Sequence, residues 1–280
     1  MSGRVSVASM LWRQTRAQNR AFWRVPIGAF FTLGLPLIML VLFVALFGND
    51  AMDTPYGSVR TAQFYAPGLA VFAAASATYT NIGMNLSMRR DEGILKRVRG
   101  TPLPPWIYLA GVVLSGVWIA LVSTVVMMGL GILAYDVNIE AAKMPAAALV
   151  FVVGTICFAL LGVALAAVAK SASAAPGIAN STILPLGFVS QVFVSFGNSR
   201  DVPSWLETLG DIFPLKHFAL AFGDAFNPFT DAPAIDWAHI GVMVIWAVVG
   251  GVVAWKKFGW DPHPGATTRR ARRSSKAAVG

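Results

Sequence analysis

Residues 89–105 read RRDEGILKRVRGTPLPP, a charged stretch set between two of the most apolar runs of the chain. From Ala62 to Ser87 there is no Asp, Glu, Lys or Arg, and from Trp106 to Tyr135 there is none either. A soluble core alternates apolar and polar positions. Apolar blocks of this length, divided by short charged segments, are what a chain needs to cross hydrocarbon repeatedly. The composition agrees: 280 residues, 56% hydrophobic and 12% charged, with a mean hydropathy of +0.64. Soluble domains carry about 25% charged residues.

A helical span needs about 20 apolar residues. Six blocks qualify, near 26–48, 63–87, 106–135, 145–169, 176–196 and 237–255. Each is expected to be a helix, because lipid-exposed backbone has to satisfy its own hydrogen bonds. The third is long and is expected to tilt or to extend past the bilayer. The expected fold is therefore all-α and integral to the membrane, a single domain over 1–258 with a basic, disordered tail over 259–280.

Orientation follows from the loops. The N-terminal segment, loop 88–105, Lys170 and the C-terminal tail together hold 18 of the 22 Lys and Arg residues. The alternate side holds Arg60, Lys143, Arg200 and Lys216, and ten of the 13 acids. The positive-inside rule then puts both termini in the cytoplasm of a cytoplasmic-membrane protein. The net charge of +9 is distributed around apolar blocks, so it indicates a membrane surface and not nucleic acid. Residues 4–24 can form a helix with Val7, Leu11, Ala21 and Phe22 near one face, Trp12 and Trp23 as anchors, and Arg13, Arg16, Arg20 and Arg24 for headgroups. That reads as an interfacial helix. The first 25 residues lack the apolar core of a cleaved signal peptide. The single cysteine, Cys157, lies in an apolar run and reads as a small buried side chain.

The charged loop carries helix punctuation. Asp91 and Glu92 are placed for a first turn and Lys96, Arg97 and Arg99 for a last one, matching the helix dipole. Glu92 and Lys96 are spaced i,i+4. Gly100 is placed as a left-handed stop, with Pro102 beyond it. Ile94, Leu95 and Val98 make an apolar patch too small for a core, so it is expected to meet the membrane surface or another protein.

The chain has no GxxxxGK[ST] sequence and no Gly-Lys dipeptide, so ATP and Mg would have to be bound by another subunit. His217, His239 and His263 are too scattered to indicate a metal site, and no catalytic motif is present. The blocks are almost free of ionisable side chains, which disfavours a proton-driven carrier. They do hold uncharged polar groups. Thr78, Asn81 and Asn85 share a face of the second, and Asn180, Gly187, Gln191 and Ser195 lie near one stripe of the fifth. Two readings stay open: these groups join helices, or they line a substrate path. Segment 198–228 is too apolar for a solvated loop. It reads as two short helices dipping back into the outer leaflet and broken at Phe213–Pro214.

The loop between the second and third blocks resembles that of permeases of the ABC-2 type transporter family. Arg89, Arg90, Glu92, Gly93, Leu95, Lys96, Arg97, Arg99, Thr101 and Pro102 carry the resemblance, with IFPLKHFALAF at 212–222 as a second match. The resemblance implies that the loop helix is a coupling helix that docks on a separate P-loop ATPase. Its residues would be Arg90, Glu92, Gly93, Ile94, Leu95, Lys96, Arg97, Val98 and Arg99. It implies two permease copies, identical or not, with two ATPase subunits. Spans two and five would face each other across the pair, and re-entrant helices would close the exit at Phe213 and Pro214. The implied activity is ATP-driven export of a hydrophobic or amphipathic substrate, drug-, lipid- or polyketide-like, with a polysaccharide or glycolipid as an alternative. A six-span scaffold that recruits another cytoplasmic partner is the rival reading.

Overall fold

The computed structural model describes residues 6–54, 57–194 and 203–262, with the side chains of 52–54 left aside. Ser195, Arg200, His263 and the tail from 263 onward lie outside the described residues. Helix α1 runs over Val7–Trp23, with the Ser6 hydroxyl accepting from Ser9 N at 3.2 Å. Helix α2 spans Pro26–Phe47 and includes a π turn at Phe30–Gly34. A hairpin follows, β1 Ala51–Thr54 against β2 Gly57–Arg60, with Ala51 opposite Arg60. Helix α3 is continuous over 61–91, with a π turn at Ser76–Thr80 between Thr61–Ala75 and Asn81–Asp91. Then come α4 Ile94–Arg99, α5 Pro105–Tyr135, α6 Met144–Val168 and α7 Ala175–Val189. The chain ends in α8 Ser204–Ile212, α9 Pro214–Asp224 and α10 Trp237–Lys257.

Among the described residues, four helices are long and apolar enough to cross a membrane: Pro26–Phe47, Pro105–Tyr135, Ala141–Val168 and Trp237–Lys257. Helix α3 is long enough, about 46 Å at 1.5 Å per residue, but more polar. Its first half explains this. All but two residues of Thr61–Ala75 are buried, so this helix is solvated by protein and not by lipid. The fifth block departs from expectation. Its helix stops at Val189 and not near 196, because the backbone turns at Gln191 (φ +59°) and folds back. Val192 and Phe193 are then buried, and the Phe193 ring lies 4.7 Å from that of Phe72. The hairpin was not foreseen; Gly57 at its turn (φ +128°) sits where a Cβ would meet the Phe229 ring at 2.6 Å. The break between α8 and α9 falls at Phe213–Pro214 as expected.

Helix α6 is the hub, packed against α3, α5, α7, α9 and α10. Its small residues allow this. A Cβ on Gly162 would lie 2.6 Å from the Thr78 carbonyl oxygen and 2.8 Å from that of Tyr79, both in the π turn of α3. On the α10 side, a Cβ on Gly250 would come within 3.0 Å of Leu161 N. Close backbone approach of this kind is how helices associate in lipid, where apolar burial gives little drive. Cys157 is fully buried and free in this core, as expected.

The end of the bundle that bears the hairpin is held by polar groups. Gln63 donates to the carbonyls of Asn138 (3.2 Å) and Phe226 (2.5 Å) and accepts from Asn138 N (2.7 Å). Lys143, 2% exposed, pairs with Glu140 at 2.6 Å and donates to Asn227 O at 3.0 Å. Beside them Asp224 lines a small cleft with Val59, Phe64 and Leu220. Burial, and then the charge of Asp236, pushes its carboxyl from 3.8 up to about 6.

Two outcomes follow. Gly162→Leu forces backbone apart where no flexible side chain can yield, and is expected to destabilise by about 2 kcal/mol, read as a lower melting temperature of the purified protein. Asp224 holds its proton more tightly when folded than unfolded. Its ionised form therefore costs stability above pH about 6, and that cost fades as pH falls toward 3.8. Asp224→Asn is expected to raise the melting temperature at about pH 7.5, with a gain that shrinks steadily toward about pH 4.5.

Candidate functional site

At the far end of α3 the sequence Arg90-Asp91-Glu92-Gly93 turns the chain into α4. A helix leaves its last carbonyls without partners. The last carbonyls of α6 find theirs in Arg90, whose guanidinium is 2% exposed and donates to Ala166 O and Ala169 O, each at 2.6 Å. Asp91 lies 3.6 Å from Arg90 Nε and accepts from Ala172 N at 2.6 Å, in the loop between α6 and α7. Two adjacent side chains thus fasten α3 to the end of α6 and to the loop that leads into α7. On the opposite flank Arg89 donates to Tyr108 Oη at 3.0 Å and to Gln18 Oε1, tying α3 to α5 and α1.

Gly93 adopts φ +73°, which breaks the helix and redirects it. Asp91 and Glu92 therefore close α3 and do not open α4, whose first turn has no acid; this corrects the expected punctuation. Lys96, Arg97 and Arg99 do occupy the last turn. Gly100 stays right-handed (φ −81°), and the stop is made by the Thr101 hydroxyl, which donates to Val98 O at 2.6 Å.

Leu95 also departs from expectation. It is fully buried against Leu86, Tyr108, Val112 and Val163 in a satellite core, and so is unavailable to a partner. Arg90 is likewise enclosed by its own chain. The exposed face of α4 consists of Ile94 (37% exposed), Lys96, Arg97 and Arg99, with Val98 half-buried and Glu92 exposed at the turn before it. Residues 258–262, partly assigned to the tail from sequence, pack here too. The Trp260 ring meets those of Tyr108 and Phe258, and Asp261 lies 3.7 Å from Lys96 and 3.9 Å from Arg99. Glu92 forms no ion pair with Lys96 among the described residues. Helix α1 packs along α5 through a mixed stripe: Gln14 fills the space above Gly111, while Arg13, Arg16, Arg20 and Trp12 face outward. Val7 is exposed.

The polar face of the second block is largely self-satisfied. Thr78 is fully buried and donates to Ala74 O at 2.7 Å, and Asn85 donates to Asn81 O at 2.9 Å. The link to α7 is made by Tyr79 Oη, 2.8 Å from Thr182 Oγ1, a pair the sequence did not single out as joined. Asn180 is exposed, and Gly187 is covered by the Phe193 ring. Gln191 lies in the turn beyond the helix, so these residues do not form one helical stripe.

At the hairpin end, Phe213 stacks on Trp246 of α10 with ring centres 5.6 Å apart, and Trp246 Nε1 donates to Ile212 O at 2.7 Å. Pro214 starts α9 and is buried. His217 and His239, 22 positions apart, meet through their Nδ1 atoms at 2.7 Å. Nothing in their spacing signalled this, because the contact depends on how α9 lies across α10. Among the described residues there is no group of three or more metal-ligating side chains.

The sequence of this bundle has relatives. It is 29% identical over 243 residues to the daunorubicin resistance ABC transporter permease protein DrrB1 of Streptomyces coeruleorubidus, covering 85% of this chain and 81% of that one. It is 24% identical over 182 residues to the putative transport permease YvfS of Bacillus subtilis (strain 168), covering 65% of this chain and 73% of that one. Residues 7–226, from α1 to just beyond α9, match the ABC-2 type transporter family. The chain therefore belongs to the ABC-2 type transporter family of integral membrane permeases, which work with an ABC ATPase.

Proposed function

We propose that this chain is the membrane subunit of an ATP-driven exporter and that α4 is the element through which a separate P-loop ATPase acts on it. The observation that carries the reading is the mounting of α4. Leu95 and the Gly93 turn fix it to the bundle, while Ile94, Lys96, Arg97 and Arg99 stay outward. Oriented charges around a small apolar contact set register and partner choice at a docking surface. Arg90 and Asp91, one turn away, join α3 to α6 and to the α6–α7 loop. A push on α4 is thereby delivered to three helices as one body.

On this reading the helices of all six apolar blocks act as crossings, with both termini on the cytoplasmic side of the cytoplasmic membrane. Helix α7 is helped across by the folded-back segment at 190–194, and α3 by its burial. Two permease copies and two ATPase subunits, which hold the ATP and Mg, complete the transporter. Asn81, Asn85 and Asn180 lie on α3 and α7, with Gln191 just beyond α7, where a cargo with few polar groups would pass between copies. The drug-resistance function in the name of one relative supports a hydrophobic or amphipathic cargo. Phe213 and Pro214 would form the outer gate. The exposed arginines and Trp12 of α1 would rest on lipid headgroups.

The test is co-purification from gently solubilised native membranes, followed by transport in proteoliposomes. Wild type is expected to bring down a P-loop ATPase. Ile94→Asp with Arg97→Glu, both on the surface, is expected to insert normally and lose it. Arg90→Gln is expected to keep the ATPase and lose most transport, because docking survives while its transmission to α6 fails. A stably inserted wild-type protein that recovers no ATPase, or a surface double variant that recovers it undiminished, would overturn the assignment.

A further inference from the structure

The histidine pair at the hairpin end has only certain ways to hold protons. His217 Nε2 lies 2.8 Å from Asp211 O, a backbone carbonyl that can only accept. His217 therefore donates through Nε2, and in its neutral form its Nδ1 is an acceptor. That Nδ1 is 2.7 Å from His239 Nδ1, so His239 must donate there. The remaining nitrogen, His239 Nε2, lies 3.8 Å from Asp236 Oδ2. A first proton placed on His239 Nε2 breaks no hydrogen bond and faces a carboxylate. A second proton has only His217 Nδ1 to go to, and there it would point at the N–H of His239 across 2.7 Å.

Charged groups of both signs flank the pair. Asp236 is the N-cap of α10, accepting from Ala238 N at 2.8 Å and His239 N at 3.4 Å, and it faces the pair from that helix. Asp211 is paired with Lys216 at 2.6 Å, so these two charges largely offset each other beside the histidines. Asp224 stands in the field of Asp236. The second tie between these elements, Trp246 to Ile212 and Phe213, has no titratable group.

We infer that His217 and His239 form a proton-operated clasp that holds α9 against α10 while it carries no proton or one, and releases when it takes up a second. Its service as an outer gate rests on the export reading; the clasp itself does not. It would make opening at that face sensitive to the acidity of the adjoining aqueous phase, independently of ATP.

The test uses the permease alone in nanodiscs, with 15N-labelled histidine, across about pH 4 to 9. Three histidines in the chain keep the spectrum simple, and His217→Gln and His239→Gln assign it. The expected result is an Nδ1–H tautomer on neutral His239 and an Nε2–H tautomer on His217. Uptake should come in two separated steps, reduced to one step for His217 in His239→Gln. Hydrogen exchange over 204–224, corrected for intrinsic pH dependence, should rise severalfold through the second step in wild type. Two Nε2–H imidazoles titrating in a single shared step would overturn the clasp, and so would exchange that ignores the second step. If either variant fails to fold, the wild-type tautomers, titration and exchange decide alone. The titration contains no ATPase, so loss of the export reading would leave it standing, and its own failure would leave α4 untouched.

Discussion

A helix in a bilayer satisfies its own backbone until it ends, and the last turn of carbonyls must then find donors from elsewhere. In this protein the critical ending is that of α6, the helix on which the others pack. Its carbonyls at Ala166 and Ala169 are taken by one buried guanidinium, that of Arg90. Arginine suits the position, because its rigid fork of donors can serve two acceptors at once. The guanidinium is itself enclosed, so its removal would leave carbonyls and cavity together. Asp91 completes the arrangement by balancing part of the charge and holding the next loop. Everything at this end, including the direction in which α4 leaves, is built outward from that junction.

The middle of the bundle follows a different rule. Lipid competes with protein for apolar surface, so packing there depends on how closely backbones can come. Gly162 against the π turn of α3 and Gly250 against Leu160–Leu161 bring three helices to near contact. The π turn presents two successive carbonyls to the same glycine. Such turns shift the register of a helix locally, and they often occur where a helix has a task beyond packing. Here the turn lies in the helix that joins α4 to the centre of the protein.

The two ends differ in chemistry. One presents basic side chains on a short, well-anchored helix. The other holds its elements through histidines, a lysine–carboxylate pair and carbonyl contacts, with Asp224 and Asp236 near one another. On the proposed reading, one end receives a mechanical input. On the inference drawn from the histidine pair, the opposite end responds to its aqueous surroundings. Helices α3, α6 and α10 are the continuous bodies between them.

Much of this was legible from one sequence. Block lengths marked the apolar helices, because hydrocarbon thickness sets their length and allows few charges inside. Pro214 marked the break between α8 and α9, because proline lacks the N–H that a continuing helix needs. The basic last turn of α4 was readable as punctuation, but the left-handed residue is Gly93, before the helix, and not Gly100 after it. What sequence could not decide was partnership. Leu95 and Ile94 are neighbours of similar hydrophobicity, yet one is fully buried and the other exposed, because only Leu95 joins the satellite core that holds Tyr108. Arg90 looked like part of a charged loop until the end of α6 was seen beside it. His217 and His239 looked unrelated. Local pattern is set by covalent neighbours and by the solvent each segment needs. Which side chain meets which depends on how distant segments cross, and only the packed helices determine that.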